Sequence, residues 1–319
     1  MKVALIVIYN HRYDKNIDII ETLYKNRFSN IYHLVPFYTG KKDNVIAVYE
    51  NSLYFQGYVA QGLKSYFREE YKHYFFVADD MILNPDINEN NYSDFFGLKD
   101  NSSFISEFFS LYKKDWYWSH AIDAFTFQLT KRKVEAVKEL PTFNEAEKKL
   151  LQNKAIDRVL KDEEPLKWEH LNGKPSLNLL RKEGRKRFSD WLRNTIRGRR
   201  YSLSYPLVGS YADIFIVSSD NIKQFCHYCG VFAALDLFVE IALPTALALS
   251  AESVITEKEL QYKGKPLWKE EEYELLLPYK SNLKLLLEKF PENVLHIHPI
   301  KLSQWDCSFL NQEIEDKVL

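Results

Sequence analysis

The sequence predicts an α/β fold with a Rossmann-like, mostly parallel central sheet, flanking helices and a helical insertion. Three observations carry this expectation. Short apolar runs of β type alternate with helix-patterned segments through residues 3–78. One of these runs, HYFFVA, leads straight into two adjacent acids, Asp79 and Asp80, and then into Met-Ile-Leu-Asn-Pro. The composition, 46% apolar and 27% charged over 319 residues, is that of a globular chain with ample core.

In chain order, VALIVIY (3–9) reads as a fully buried first strand, because it has no polar alternation. NHRYDKN follows as a polar loop, and IDIIETLYKN reads as a helix with Ile19, Ile20, Leu23 and Tyr24 on its apolar side. IYHLVPFY and VIAVYE read as the second and third strands. SLYFQGYVAQGLKSYFREEY reads as a helix with Ser52 as its cap, and HYFFVA as the fourth strand. Residues 106–205 are polar and mostly helical in pattern, and read as an insertion between residues 1–105 and 206–319 of one continuous domain. After it, SYADIFIVS reads as a strand. SDNIKQFCHYCG reads as a helix capped at Ser219 or Asp220 and stopped by Gly230. FAALDLFVEIALPTALAL reads as one more helix, and NVLHIHPIKLS as a late strand.

Bulk properties exclude several classes. A net charge of −1 gives no general attraction to nucleic acid. Three cysteines are too few for a disulfide framework and fit a reducing compartment, so the expected location is cytoplasmic. Cys226 and Cys229 lack a second pair at metal-binding spacing and read as buried, inert thiols. The run Arg181 to Arg200 holds nine basic residues against two acids, a local net of +7, with Phe188, Trp191, Leu192 and Ile196 among them. Such a segment suits peripheral contact with the anionic inner face of a membrane.

Paired carboxylates after a buried strand put fixed negative charge at the carboxyl edge of the sheet, where open α/β sheets bind ligands. They suit a divalent cation held largely by substrate phosphates. No GxGxxG or GxxxxGK[ST] loop is present, so phosphate contacts would fall to Asn10, His11 and Arg12, the metal and the C-terminal basic residues. Asp236 stands in an otherwise apolar helix and is the first choice for a general base. Glu240, four residues on, is expected on the same helical face. Asp213 is a weaker choice for binding a hydroxyl. Gln56, Gly57 and Gln61 are expected to line a ligand pocket, and Trp116 and Trp118 are expected to pack in the core sooner than to stack on a ligand.

Taken in order, IVIYNHR, VADDMILNP, GSYADIFIVSSDNI, ALDLFVEIALPTAL and HIHPIKLS resemble the GT-A-fold, nucleotide-sugar-dependent glycosyltransferases, particularly those of bacterial surface polysaccharides. The resemblance covers the two ends of the chain and not the middle third. It departs from the family's Asp-x-Asp motif in having Ala78 at the first acidic position. The resemblance implies a GT-A-like fold and transfer of a sugar from a nucleotide diphosphate to a hydroxyl of a glycan acceptor, lipid-linked or free, in capsule or lipopolysaccharide synthesis. It implies Mn²⁺ or Mg²⁺ on Asp80 and His298. Tyr9, Asn10, Arg12, Gln56, Asp79 and Lys301 would serve the donor, and Asp236 and Glu240 catalysis. His296 is assigned to the strand face opposite His298, leaving only His298, beside Pro299, toward the site. The competing expectation is a catalytically inactive glycan-binding module of the same fold.

Overall fold

A computed structural model describes residues 2–112, 120–130, 134–172, 189, 192–194 and 197–310. Strand β1 (Lys2–Ile8) leads through helix α1 (Asp14–Tyr24) to β2 (Ile31–Pro36) and β3 (Val45–Val48). Helix α2 (Gln56–Tyr66) returns the chain to β4 (Tyr71–Ala78), followed by β5 (Ile82–Leu83), α3 (Tyr92–Phe95) and β6 (Ser102–Ile105). The insertion contributes α4 (Ala121–Thr126), α5 (Phe143–Gln152), β7 (Leu166–Lys167), α6 (Trp168–Asn172) and β8 (Arg200–Tyr201). Then come β9 (Ile214–Ser218), α7 (Ile222–Ala234), α8 (Val239–Ser250), β10 (Ser253–Thr256), β11 (Lys263–Pro266), α9 (Leu283–Glu288) and β12 (Val294–His298).

Seven strands form the central sheet in the order β10-β6-β9-β4-β1-β2-β3. Neighbours are parallel except at β9, which runs antiparallel to both β6 and β4. The chain is therefore α/β, with a mostly parallel sheet and flanking helices. Its two faces are both covered, which explains the uninterrupted apolar runs. Along β1, Ala4, Ile6 and Ile8 join the core beneath α2, α7 and α8, whereas Val3, Leu5 and Val7 join the core beneath α1 and the second sheet. That second sheet, β11-β12-β5, is small and packs against the first.

Several local expectations shift. Asn51, not Ser52, accepts the capping hydrogen bond, from Leu53 N–H, and a short 3₁₀ turn precedes α2. Gly230 does not stop its helix, which continues to Ala234. The single long helix expected from FAALDLFVEIALPTALAL is two elements, because Asp236 adopts φ +52° in the turn between α7 and α8. Asp236 and Glu240 thus do not share one helical face. The late strand β12 belongs to the second sheet and not to the first. The described part of the insertion includes the helices α4, α5 and α6, a 3₁₀ turn at Leu160–Asp162, helical residues at 192–194 and the two-stranded ribbon β7–β8. It shares the main core through Ala124, Ala146 and Leu150. Most of the basic run, and Trp116 and Trp118, lie outside the described residues. Among the described residues no helix is long and apolar enough to cross a membrane.

Phe76 of β4 stacks on Phe215 of β9 with ring centroids 4.5 Å apart, and neither ring is exposed. Their contact fills the junction of the parallel strands with the reversed one. Phe76→Ala should therefore cost about 3–5 kcal/mol of folding stability, through lost burial plus a cavity. Urea denaturation checks this, and a loss below about 1 kcal/mol would mean that the junction collapses freely around the void.

Candidate functional site

The strand order turns at β1. Strands β2 and β3 follow on one side of it and β4 lies on the other, so the carboxyl ends of β1 and β4 border a topological switch point. Asp79 sits there, its N–H bonded to the carbonyl of Ile8 at 3.0 Å. The N–H of Ala78 binds the carbonyl of Asp213 at 2.9 Å, which ties the end of β4 to the lead of β9. Ala78 itself is buried in the apolar core with Met81, so the departure at this position falls on a side chain turned inward.

Around this turn the structure gathers three carboxylates and one imidazole. His298 Nε2 lies 2.9 Å from Asp80 Oδ1, and His298 Nδ1 lies 3.5 Å from Asp213 Oδ2. Asp79 is buried next to them and receives a hydrogen bond from the Asn16 side chain. The charges account for the titration behaviour. Burial, and then the neighbouring Asp80, push Asp79 up to about 7. Burial raises Asp213 as well. For His298, burial opposes the charged form, but Asp213 and Asp80 outweigh it and raise the imidazole above its ordinary value. The cluster therefore carries more negative than positive charge in a poorly solvated place.

Asp80 Oδ1 is buried without a well-formed hydrogen bond. Its ion-pair partner is His298 Nε2, at 2.9 Å. Asp213 on the far nitrogen would orient the ring, as outer carboxylates do for metal-bound histidines. One carboxylate and one imidazole fit Mn²⁺, with the remaining positions left for phosphate and water. Among the described residues, no group of three or more His, Cys, Asp or Glu side chains could hold a metal by itself.

Other expected site residues fall differently. Tyr9 has its ring fully buried, with its hydroxyl 3.1 Å from His33 Nδ1, so it does not face a ligand. Gln56 is also fully buried, and its amide donates to the carbonyl of Leu237 at 2.8 Å, tying α2 to the α7–α8 turn. Gly57 admits Ala233 of α7, since a Cβ there would sit 3.2 Å from the alanine methyl. Gln61 bonds the backbone of Tyr49. Gln56 and Gly57 are thus taken up in packing and the exposed Gln61 in a backbone tie, and none of the three lines the expected ligand pocket. Asn10 is part-exposed after β1, and exposed Arg12 pairs with Asp14 and Thr39. Lys301 is exposed three residues beyond His298. Positions two apart in a strand share a face. His296 and His298 therefore do not point to opposite sides, and both line one cavity.

Glu240 opens α8, and its carbonyl accepts from Ser210 N–H at 3.0 Å, which holds it at the same edge as Asp213. Burial, then Asp213, push its carboxyl up to about 8. Cys226 and Cys229 are buried free thiols, with Cys226 pushed up to about 12 by burial. Comparison with known proteins finds no family model and no curated relative that matches this chain.

The Glu240 shift has a consequence for stability. An unfolded chain releases this proton near 4.5, whereas the folded protein keeps it to about 8. The stabilisation is complete below pH ~4.5 and is lost as pH rises through ~8. Glu240→Gln should gain stability relative to wild type over that window, on the order of 1–3 kcal/mol at its upper end. Denaturant melts across the pH series check this. Parallel curves for the two proteins would show that the carboxyl is not held protonated.

Proposed function

We propose that this chain is a metal-assisted glycosyltransferase with a GT-A-like fold, moving a sugar from a nucleotide diphosphate donor to a hydroxyl of a glycan acceptor. A bacterial surface polysaccharide is the acceptor class that the sequence resemblance suggests. The reading rests on one observation, the meeting of Asp80, His298 and Asp213 at the switch point. Three separate parts of the chain converge on a place where open α/β sheets take ligands, and they bring excess negative charge that a cation would balance.

In this reading Asp80 and His298 hold Mn²⁺ or Mg²⁺, and Asp213 keeps the His298 ring in the orientation that presents Nε2. When bound, the cation supplies Lewis-acid stabilisation of the negative charge developing on the departing diphosphate. Asn10 and Arg12 follow β1 and would meet donor phosphates from that side, whereas Lys301, expected to do the same, lines a separate pocket with Pro299 and Trp305. Asp79, largely shielded from water, fixes the turn that carries Asp80. Glu240, pushed up to about 8, would in its ionised form be a strong enough base to take the proton of an acceptor hydroxyl if the reaction inverts the anomeric centre. Asp236 borders the same edge from the preceding turn.

The deciding measurement is a thermal-shift and donor-hydrolysis panel of UDP-, GDP-, CMP- and dTDP-sugars with and without Mn²⁺, on wild type and Asp80→Ala. A ligand at about 100 times its dissociation constant adds about 2.7 kcal/mol of stability. We expect one nucleotide to stabilise the protein only with metal, and Asp80→Ala to abolish both the shift and the hydrolysis. Transfer that persists in Asp80→Ala would remove the metal assignment.

A further inference from the structure

A cavity of about 310 Å³ opens beside the acidic cluster, between the ends of β6, β9 and β10 and the strands of the second sheet. Asp213 and His298 form one wall of it. Its floor includes His296, which is 4% exposed and whose Nδ1 has no hydrogen-bond partner among the described residues. An unpaired imidazole nitrogen buried at a cavity wall costs stability unless something else satisfies it.

The ring is held there by construction. A Cβ at Gly264 would lie 2.3 Å from His296 Cε1 and 2.6 Å from Nε2, so only glycine lets β11 pass this close. Gly264 N–H in turn donates to Glu257 Oε2 at 3.0 Å, which fixes that carboxylate at the same wall. Tyr211, also at the wall, stacks on Trp268 with ring centroids 5.3 Å apart, and Trp268 stands edge-on to His298 at 6.1 Å. Trp268 is 53% exposed, so an aromatic face remains open to solvent at this end of the site.

We propose that this cavity binds one uncharged sugar ring of the substrate, with His296 and Glu257 as the residues that select it. The substrate assignment rests on the glycosyl-transfer reading; the binding assignment does not. Much of the lining is apolar, and its carboxylates, the imidazoles of His296 and His298 and the hydroxyls of Ser106 and Tyr211 converge on the same space, a combination that suits a sugar ring with its apolar face and hydroxyl edge. Glu107, Asp213 and Glu257 give the wall three acids. Of the two lysines, Lys263 directs its ammonium to the carbonyls of Glu257 and Leu260, and Lys258 is exposed. An anionic sugar would meet Glu107 and Glu257 at the same wall, while the charge of His298 is already paired with Asp80 and Asp213. The volume is at the lower end for ligand sites, and so fits a single ring with the glycan continuing outside.

Saturation-transfer NMR on the full chain, with glucose, galactose and mannose against glucuronate and galacturonate, tests the proposal. At least one neutral hexose should bind about tenfold or more tighter than its uronate. That preference needs no variant, and equal or tighter binding of the uronates would overturn the proposal. His296→Phe keeps a ring of similar size and removes the nitrogen, and Glu257→Gln removes the charge with little change of shape. Each should weaken the hexose signal while the Mn²⁺-dependent nucleotide shift is retained. Hexose binding unchanged in both would also overturn the proposal. Hexose selection without any Mn²⁺–nucleotide shift would sustain the cavity assignment and sink the transferase reading instead.

Discussion

The carbonyl of Asp80 accepts a 2.6 Å hydrogen bond from Ile300 N–H, while its carboxylate meets His298 at 2.9 Å. Through these contacts the end of β4 grips both sides of the His298–Pro299 step. Asn84, just after β5, repeats the arrangement: its N–H donates to Leu295 and its side-chain amide to Val294, each at 2.8 Å. Between them β5 pairs antiparallel with β12. Residues 78–84 are thus the seam along which the second sheet docks on the first. The histidine is carried by a strand and not by a loop, so its ring position is set before any ligand arrives. Everything else in the site depends on this docking, because neither sheet alone contains both the acid and the imidazole.

The seam concentrates charge where charge is costly. Asp79, Asp80 and Asp213 surround a single imidazole in a place mostly closed to water, and the protein lowers the cost by holding protons. The His298 ring retains one more tightly than a free histidine, and Asp79 and Glu240 titrate near neutrality instead of near 4. A divalent cation would replace those protons and draw the carboxyl values down together. In the proposed reading, the cluster's protonation and its affinity for a cation would be two expressions of one electrostatic imbalance, with opposite dependence on pH.

The strands were the most legible part of the sequence. VALIVIY and HYFFVA have no polar alternation because both faces of the sheet are covered, and their apolar lengths mark the buried segments closely. Asp79 and Asp80 stood out for the same reason, as an acid pair ending such a run, and the structure brings Asp80 beside His298. Local pattern could not report what depended on tertiary packing. Gln56 looked like a ligand contact because it is polar on a helix, yet it is consumed by the carbonyl of Leu237, far away in sequence. The turn at Asp236 was hidden because the apolar pattern continues through Leu235 and Leu237, which are buried on both sides of a left-handed residue. The partnership of Asp213 with His298 had no sequence signal at all. The common face of His296 and His298 did have one, the two-residue spacing itself, and the strand period assigns it correctly once applied.

The reversed strand explains why acids from the second half of the chain arrive at this edge. In an all-parallel sheet, the residues before a strand lie at the edge opposite the ligand crevice. Because β9 runs antiparallel to β4 and β6, the residues leading into it, Tyr211 and Asp213, emerge beside the carboxyl ends of its neighbours. Helix α7 then carries the chain back along the sheet, so that the turn with Asp236 and the start of α8 with Glu240 return to the same edge. One inversion of strand direction therefore brings Asp213 to His298, Glu240 to the same edge, and Tyr211 to the wall of the adjoining cavity. Restoring a parallel β9 would leave Asp80 in place but remove all three from its reach. The geometry that unites cluster and cavity is thus a property of the strand order, and the individual side chains exploit it.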